Sequence, residues 1–320
     1  MNPTDFRIIF MGTPEFAVGS LKALLDAGFN VVAVVTAPDK PAGRGQKLQE
    51  PDVKRFAKDL GIPILQPEKL KDPEFIEQLQ SFKADLQVVV AFRMLPEIVW
   101  SMPRLGTINL HGSLLPQYRG AAPINWAIIN GDKITGTTTF FIEKEIDTGK
   151  IIFKNEVEIT DTDNAGTLHD KLMNSGAQLL VKTVKAIEAG EYPQVDQSFE
   201  TALRPAPKIF KETCKIKWND GIDTVYNFIR GLSPYPAAWT TLVNKETGES
   251  LNAKIFATEK EYVPHSFEPG TLVTDEKKHL KASLNGGYLH IKTIQVEGKK
   301  RLEIDEFLRG FKNINGYKLV

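Results

Sequence analysis

Residues 7–17 read Arg7-Ile8-Ile9-Phe10-Met11-Gly12-Thr13-Pro14-Glu15-Phe16-Ala17. A short apolar run that breaks into Gly-Thr-Pro is a buried strand turning directly into a helix, with Thr13 as the expected N-cap and Pro14 at the first helical position. Ala17, Leu21, Leu24 and Leu25 then recur at helical spacing, and Gly28 closes the helix. Residues 31–35 form the next strand. The alternation continues outward from there. Helices are predicted near 51–60 and 73–82, and short apolar strands at 62–65, 86–91 and 107–110. Strands at 137–142 and 151–159 extend the sheet. A long helix follows over 167–189, with Leu168, Leu172, Leu179, Leu180 and Val184 on one stripe. Continuous Val/Ile runs between amphipathic helices are the pattern of parallel strands covered on both faces. The expectation for the first half is a Rossmann-like, mostly parallel α/β sheet.

The pattern changes after Gly190. Residues 191–208 contain Pro193, Pro205 and Pro207 and no clear period, which reads as a linker. Beyond it, one helix over 222–230 precedes short strand-like runs at 239–243, 254–257, 270–273, 279–284 and 288–295. Asn285-Gly286-Gly287 is a hairpin signal between the last two. Several short strands in so few residues suggest a small OB-like β-barrel. The expected organisation is therefore a catalytic α/β domain over 1–190, a linker over 191–208 and a barrel domain over 209–320.

The 320 residues are 42% hydrophobic and 25% charged, which excludes a disordered, collagenous or coiled-coil chain. Lys+Arg and Asp+Glu both number 40, so no bulk positive field is available to grip nucleic acid or an anionic membrane. Neutrality hides an asymmetry: residues 209–320 hold 17 and 14, leaving 23 and 26 for residues 1–208. A lone cysteine, Cys214, excludes an internal disulfide or a Cys-rich zinc site and fits a reducing compartment. No run approaches a membrane span.

Three stretches are candidates for chemistry. The turn after the first strand has one glycine, and Pro14 removes an amide donor, so it is a poor match to the G-x-G-x-x-G of dinucleotide-binding folds. The second stretch is Asn109-Leu110-His111-Gly112-Ser113-Leu114-Leu115-Pro116, at the end of a parallel strand where open α/β sheets place their ligands. Asn109 and His111 are two apart and point to the same side. Their amide and imidazole hydrogens can hold an oxygen that becomes negative during acyl transfer, and a histidine can move the proton lost by an attacking amine. Such a pair calls for an orienting carboxylate, and Asp147, in Ile146-Asp147-Thr148-Gly149, is a candidate. A turn-capping role explains Asp147 equally well. No ligand cluster implies a metal. Third, the loop Pro38-Asp39-Lys40-Pro41-Ala42-Gly43-Arg44-Gly45-Gln46-Lys47 is long for its place. Lys40, Arg44 and Lys47 make it either a solvated surface loop or a basic arm for phosphate.

Taken together, residues 109–116, Tyr118-Arg119-Gly120-Ala121-Ala122-Pro123-Ile124 and Asp147-Thr148-Gly149 resemble the folate-dependent formyltransferases. The segments Phe10-Met11-Gly12-Thr13-Pro14-Glu15-Phe16-Ala17, Pro41-Ala42-Gly43-Arg44-Gly45 and Gln66-Pro67-Glu68-Lys69-Leu70 narrow the resemblance to the members that formylate methionyl-tRNA. It covers nearly the whole chain and is looser in the barrel, where Ser233-Pro234-Tyr235-Pro236 resembles an N-P-W-P segment. The resemblance implies formyl transfer from 10-formyltetrahydrofolate to the amino group of methionyl initiator tRNA. It implies Asn109, His111 and Asp147 as the catalytic trio and Ser113, Leu114, Leu115 and Pro116 as folate contacts. It implies tRNA binding by the loop of Lys40, Arg44 and Lys47 and by the barrel. A cytoplasmic monomer without a metal accompanies it. Two departures stand out: Ala91-Phe92-Arg93 replaces Ala-Tyr-Gly, placing a long cation beside the expected pterin pocket, and residues 203–208 differ from the usual linker. The alternatives are a formyltransferase for a small amine such as a nucleotide sugar, a formyl-folate hydrolase, and a nucleic-acid-binding protein with an inactive α/β domain.

Overall fold

The computed structural model describes residues 6–42, 47–198 and 202–320. In chain order the first elements are β1 (Arg7–Gly12), α1 (Glu15–Asp26), β2 (Asn30–Val35), β3 (Lys40–Ala42), β4 (Lys47–Gln49), α2 (Asp52–Asp59) and β5 (Ile64–Leu65). Then come α3 (Pro73–Ser81), β6 (Leu86–Val90), α4 (Glu97–Trp100), β7 (Thr107–His111), α5 (Pro123–Ile129), β8 (Ile134–Phe141), β9 (Ile151–Glu158) and α6 (Ala165–Ala189). After these lie α7 (Ile222–Leu232), β10 (Ala238–Asn244), β11 (Ser250–Glu261), β12 (Leu272–Thr274), β13 (Leu280–Leu284), β14 (Gly287–Val296), β15 (Leu302–Glu303), α8 (Ile304–Gly310) and β16 (Tyr317–Leu319).

Two compact units share the chain, and they interleave in sequence rather than follow one another. The first comprises residues 1–120, 134–158 and 169–205; the second comprises 121–133, 159–168 and 206–320.

In the first unit the sheet order is β5-β2-β1-β6-β7-β8-β9. The first five strands run parallel, while β8 and β9 pair antiparallel. The chain moves outward from β1 through β2 to β5, then returns to β6 on the other side of β1. This reversal opens a crevice at the carboxyl ends of the strands, the usual ligand position in such sheets. Buried Ile9, Met11, Ala33, Val35 and Val89 pack with Phe75, Ile76 and Leu79 of α3, which fits strands covered by helices. The first turn is tight: a Cβ on Gly12 would lie 2.5 Å from that of Ala17 and 3.0 Å from the carbonyl of Val90. The helix start differs by one residue from the sequence reading. Pro14 is the N-cap, extended and without a side-chain cap, and Thr13 lies outside the helix.

The second unit is a small antiparallel barrel with the path β12-β13-β14-β11-β10-β16, and β15 pairs with β14. Its two ends meet where Thr271 bridges Lys318. Asn285 and Gly286 form the two-residue hairpin between β13 and β14, with Gly286 at φ 96°. The core joins Trp218, Ile222 and Ile229 to Ile255, Leu289 and Ile291. Segments far away in sequence belong to this unit for a visible reason. The guanidinium of buried Arg230 donates to the carbonyls of Thr160 and Asp163 at 3.0 and 2.8 Å, and Asn125 donates to the carbonyl of Gly231 at 2.7 Å. Strand β11 is longer than the expected 254–257, because exposed polar residues such as Ser250, Asn252 and Glu259 flank the buried Ala253, Ile255 and Phe256 and break the apolar run that sequence reading follows. Helix α8, which buries Ile304, Phe307 and Leu308 at helical spacing, was not anticipated.

Candidate active site

Strand β7 sits between β6 and β8, with Asn109 beside Val89 on one neighbour and Phe140 on the other. Alternation puts Leu110 on one face and Asn109 with His111 on the other. The Leu110 side is covered by α6: a Cβ on Gly176 would come within 3.0 Å of the Leu110 side chain. His111 is buried and Asn109 half-buried. The Oδ1 of Asn109 is buried without a hydrogen-bond partner. A buried amide oxygen left unpaired is costly and marks a position where a donor from a bound molecule would be accommodated.

The ring of His111 has a neighbour at each nitrogen. Nε2 lies 2.8 Å from the carbonyl oxygen of Tyr118. A carbonyl only accepts, so this contact places the hydrogen on Nε2. Nδ1 lies 3.9 Å from Oδ2 of Asp147, within ion-pair range but beyond a direct hydrogen bond. That same Oδ2 accepts from the backbone N–H of Gly120 at 2.9 Å. The structure thus brings together His111 and Asp147 and places Asn109 on the His111 side of the strand.

Asp147 adopts a left-handed backbone, φ 55°, in the turn between β8 and β9. Gly149 makes that turn possible, since a Cβ there would stand 1.8 Å from the carbonyl oxygen of Phe141. Tyr118, at φ 60°, is another left-handed position beside the site. Residues of this kind persist only where their surroundings hold them.

Of the residues implied as folate contacts, Ser113 is fully buried and its hydroxyl donates to the carbonyl of Gln117 at 2.6 Å. Its own carbonyl accepts from Thr138 at 2.7 Å. Leu115 is buried against Phe140 and Ile151, and its carbonyl accepts from Lys154 at 2.5 Å. Burial pushes the Lys154 ammonium below the usual lysine range. Leu114 and Pro116 are half-buried. The turn's polar groups are therefore largely used within the unit.

Arg93 does not project free beside the crevice. Its guanidinium donates to the carbonyls of Pro67 and, at 2.8 Å, Glu68, and lies 5.6 Å from the Phe92 ring centroid. It pins the loop before α3 and forms one wall of a cleft of about 640 Å³ with Leu70, Lys71, Met94, Leu95 and Ile98.

In the basic loop, Lys40 is exposed on β3 and Lys47 lies on β4, which pairs with it; Arg44 lies outside the described residues. The loop's base is anchored by Asp39, which accepts from Lys54 at 2.6 Å and Gln66 at 2.8 Å. The hydrogen bonds from Lys54 and then Gln66 hold the Asp39 carboxyl below its usual range.

Two neighbours of the candidate trio carry no signal in sequence: Tyr118 stands in the quoted motif without a role, and Gln197 falls in the expected linker. Gln197 is 50 residues from the Asp147 carbonyl that it contacts and 78 from Arg119, distances at which spacing holds no signal.

Comparison with known proteins agrees with this architecture. Residues 6–184 match the formyl transferase family, and residues 208–312 match the formyl transferase C-terminal domain. The chain is 57% identical over 322 residues to a protein of Bacteroides thetaiotaomicron named methionyl-tRNA formyltransferase, covering all of both chains. It is 50% identical over 304 residues to the protein of that name from Flavobacterium johnsoniae, covering 95% of this chain and 96% of the other. Among solved structures, the sugar 3N-formyl transferase WlaRD superposes with a TM-score of 0.65 at 20% identity, covering 92% of this chain and 99% of the other. HypX from Aquifex aeolicus, in complex with tetrahydrofolic acid, gives 0.63 at 19% identity and covers 94% of this chain but 46% of that longer one. These two structures speak to the fold alone. With both halves matched and relatives that are similar from end to end, this chain belongs to the formyl transferase family.

Proposed function

We propose that this chain transfers a formyl group from 10-formyltetrahydrofolate to the free amino group of methionyl initiator tRNA. The observation that carries the reading is the end-to-end similarity, at 57% identity, to relatives named methionyl-tRNA formyltransferase. Catalysis is assigned to the first unit and tRNA binding to the second; the expected 1–190, 191–208 and 209–320 division is the sequence approximation to these interleaved units. A cytoplasmic monomer goes with it. Among the described residues no helix is long and apolar enough to cross a membrane.

The folate donor supplies a formyl carbon on a nitrogen leaving group. The cleft walled by Arg93, Leu70 and Met94 fits a partly apolar ligand, and Leu114 and Pro116 are the half-buried members of the implied folate-contacting turn. The methionyl amine forms a bond to the formyl carbon, and the bond from that carbon to the folate nitrogen breaks. The proton lost by the amine ends on that nitrogen. Asn109 and His111 donate to the formyl oxygen as it becomes negative, and His111 relays the proton, with Asp147 keeping the ring in register. In the free enzyme the Nε2 hydrogen of His111 is directed at Tyr118, so donation to substrate requires that it leave the Tyr118 carbonyl. The amide of Asn109 can present either end, because its oxygen has no partner to fix it. Lys40, Arg44 and Lys47 are proposed to contact the tRNA.

One assay tests the reading: formyl transfer from 10-formyltetrahydrofolate to methionyl-tRNA, with uncharged tRNA, free methionine and no acceptor as controls. Transfer confined to the charged tRNA is expected. Donor hydrolysis alone, or transfer to small amines in preference to the tRNA, would overturn it.

A further inference from the structure

Three consecutive residues, Tyr118, Arg119 and Gly120, each hold a different part of the site. The carbonyl of Tyr118 takes Nε2 of His111, and the N–H of Gly120 donates to Oδ2 of Asp147. Between them, Arg119 donates through Nε and Nη2 to Oε1 of Gln197 at 3.2 and 2.6 Å. Gln197 closes the ring. Its Nε2 donates to the carbonyls of Asp147 and Gly149, each at 2.9 Å. With its side chain buried and both ends of its amide engaged, only one orientation satisfies every partner: oxygen toward the guanidinium, nitrogen toward the two carbonyls. Those carbonyls belong to the turn in which Asp147 is held at φ 55°, a conformation that needs outside support.

We propose that Gln197 is a positioning residue: it sets the backbone of the Asp147 turn so that the carboxylate keeps its station beside His111. The neighbouring chain reinforces this. Val195 pairs with Ile151 just after the turn, and the N–H of Tyr118 donates to the carbonyl of Arg204 at 2.6 Å. The segment after α6 thus fixes both neighbours of the His111 ring: Asp147 through Gln197, and Tyr118 through Arg204. Val195, Gln197 and Arg204, which read as linker residues in sequence, brace the site.

The kinetic part of the test rests on the formyl-transfer reading; the spectroscopic part does not. Gln197→Met keeps the length of the side chain but removes both N–H donors. Gln197→Glu keeps, and by charge strengthens, the contact to Arg119, but sets a negative oxygen against two carbonyls. Each variant is compared with wild type in steady-state transfer, thermal melting and ¹⁵N NMR of the His111 ring. Both variants are expected to lose kcat by about 10- to 100-fold, the scale of a displacement near 1 Å in a site. KM for both substrates should stay within about twofold, since no substrate contact is removed. The His111 ring-nitrogen signals should move in both. A packing role predicts the opposite for Gln197→Glu, which is isosteric and paired: near-wild-type turnover, with loss confined to melting temperature. That result, or unmoved His111 signals in a folded variant, overturns the proposal. If one variant does not fold, the other carries the test. If wild type itself transfers no formyl group, the functional reading fails and the NMR comparison alone decides the role of Gln197.

Discussion

The Nε2 nitrogen of His111 lies 2.8 Å from the carbonyl oxygen of Tyr118, a backbone group that no substitution at position 118 removes. The ring is therefore held in one tautomer before substrate arrives. His111→Gln can keep a donor near Nε2 but cannot carry a proton. We expect His111→Gln and Asn109→Ala each to lower kcat by about 10²–10³-fold, the scale for loss of one oxyanion donor. Single-turnover formyl transfer checks this, and wild-type rates in both variants would refute the assigned roles.

Gly149 leaves no room for a side chain, because a Cβ would stand 1.8 Å from the Phe141 carbonyl oxygen. The obstacle is backbone, so it cannot rotate away. Gly149→Ala should cost about 1–3 kcal/mol of stability, as overpacking typically does. It should also slow turnover by shifting Asp147. Urea unfolding together with kcat tests the pair, and an unchanged midpoint would show that the turn is more pliable than its geometry implies.

Arg93 grips two consecutive carbonyls, those of Pro67 and Glu68. A guanidinium fork can serve both, whereas an ammonium is a point charge. Arg93→Ala is expected to raise KM for the folate donor severalfold with kcat little changed, and Arg93→Lys is expected not to restore it. Equal losses in kcat and kcat/KM, with KM unmoved, would argue against this reading.

The carboxylate of Asp275 accepts from the backbone N–H groups of His279, Lys278 and Lys277, which hold it well below the usual carboxylate range. A carboxyl whose folded pKa is depressed stabilises the fold fully above its unfolded value, 3.8, and loses that contribution as pH falls below it. Melting temperature followed from pH 7 downward should therefore drop less steeply below about pH 4 in Asp275→Asn than in wild type. Parallel curves would remove Asp275 from the acid limb.

The charge distribution bears on tRNA binding. The net charge of the whole chain is zero and residues 209–320 carry a surplus of only three positive charges, so we expect few phosphates to be neutralised on tRNA binding. The logarithm of the tRNA association constant should fall gently with the logarithm of salt concentration. A slope corresponding to ten or so released counterions would contradict this.

Local patterning was enough to read the strand-turn-helix at residues 7–17, the run of Val/Ile strands and the Asn109/His111 pair, because period and turn chemistry are properties of neighbouring residues. It also located the hairpin at Asn285-Gly286. It did not reveal the extent of β11, where charged side chains on one face mask a strand whose other face is buried.

What the sequence by itself determined was the inventory: an α/β half, a barrel half, and a candidate amide, imidazole and carboxylate. Only the tertiary structure decided how they are held. Tyr118 faces one nitrogen of His111 and Asp147 stands 3.9 Å from the other. Gln197 braces the Asp147 turn from 50 residues away, and Arg230 gathers the carbonyls of Thr160 and Asp163 into the barrel unit. The physical reason is the same in each case. A buried polar group must find its partner wherever the fold brings one, and that partner's distance along the chain is set by the path of the backbone rather than by any local period.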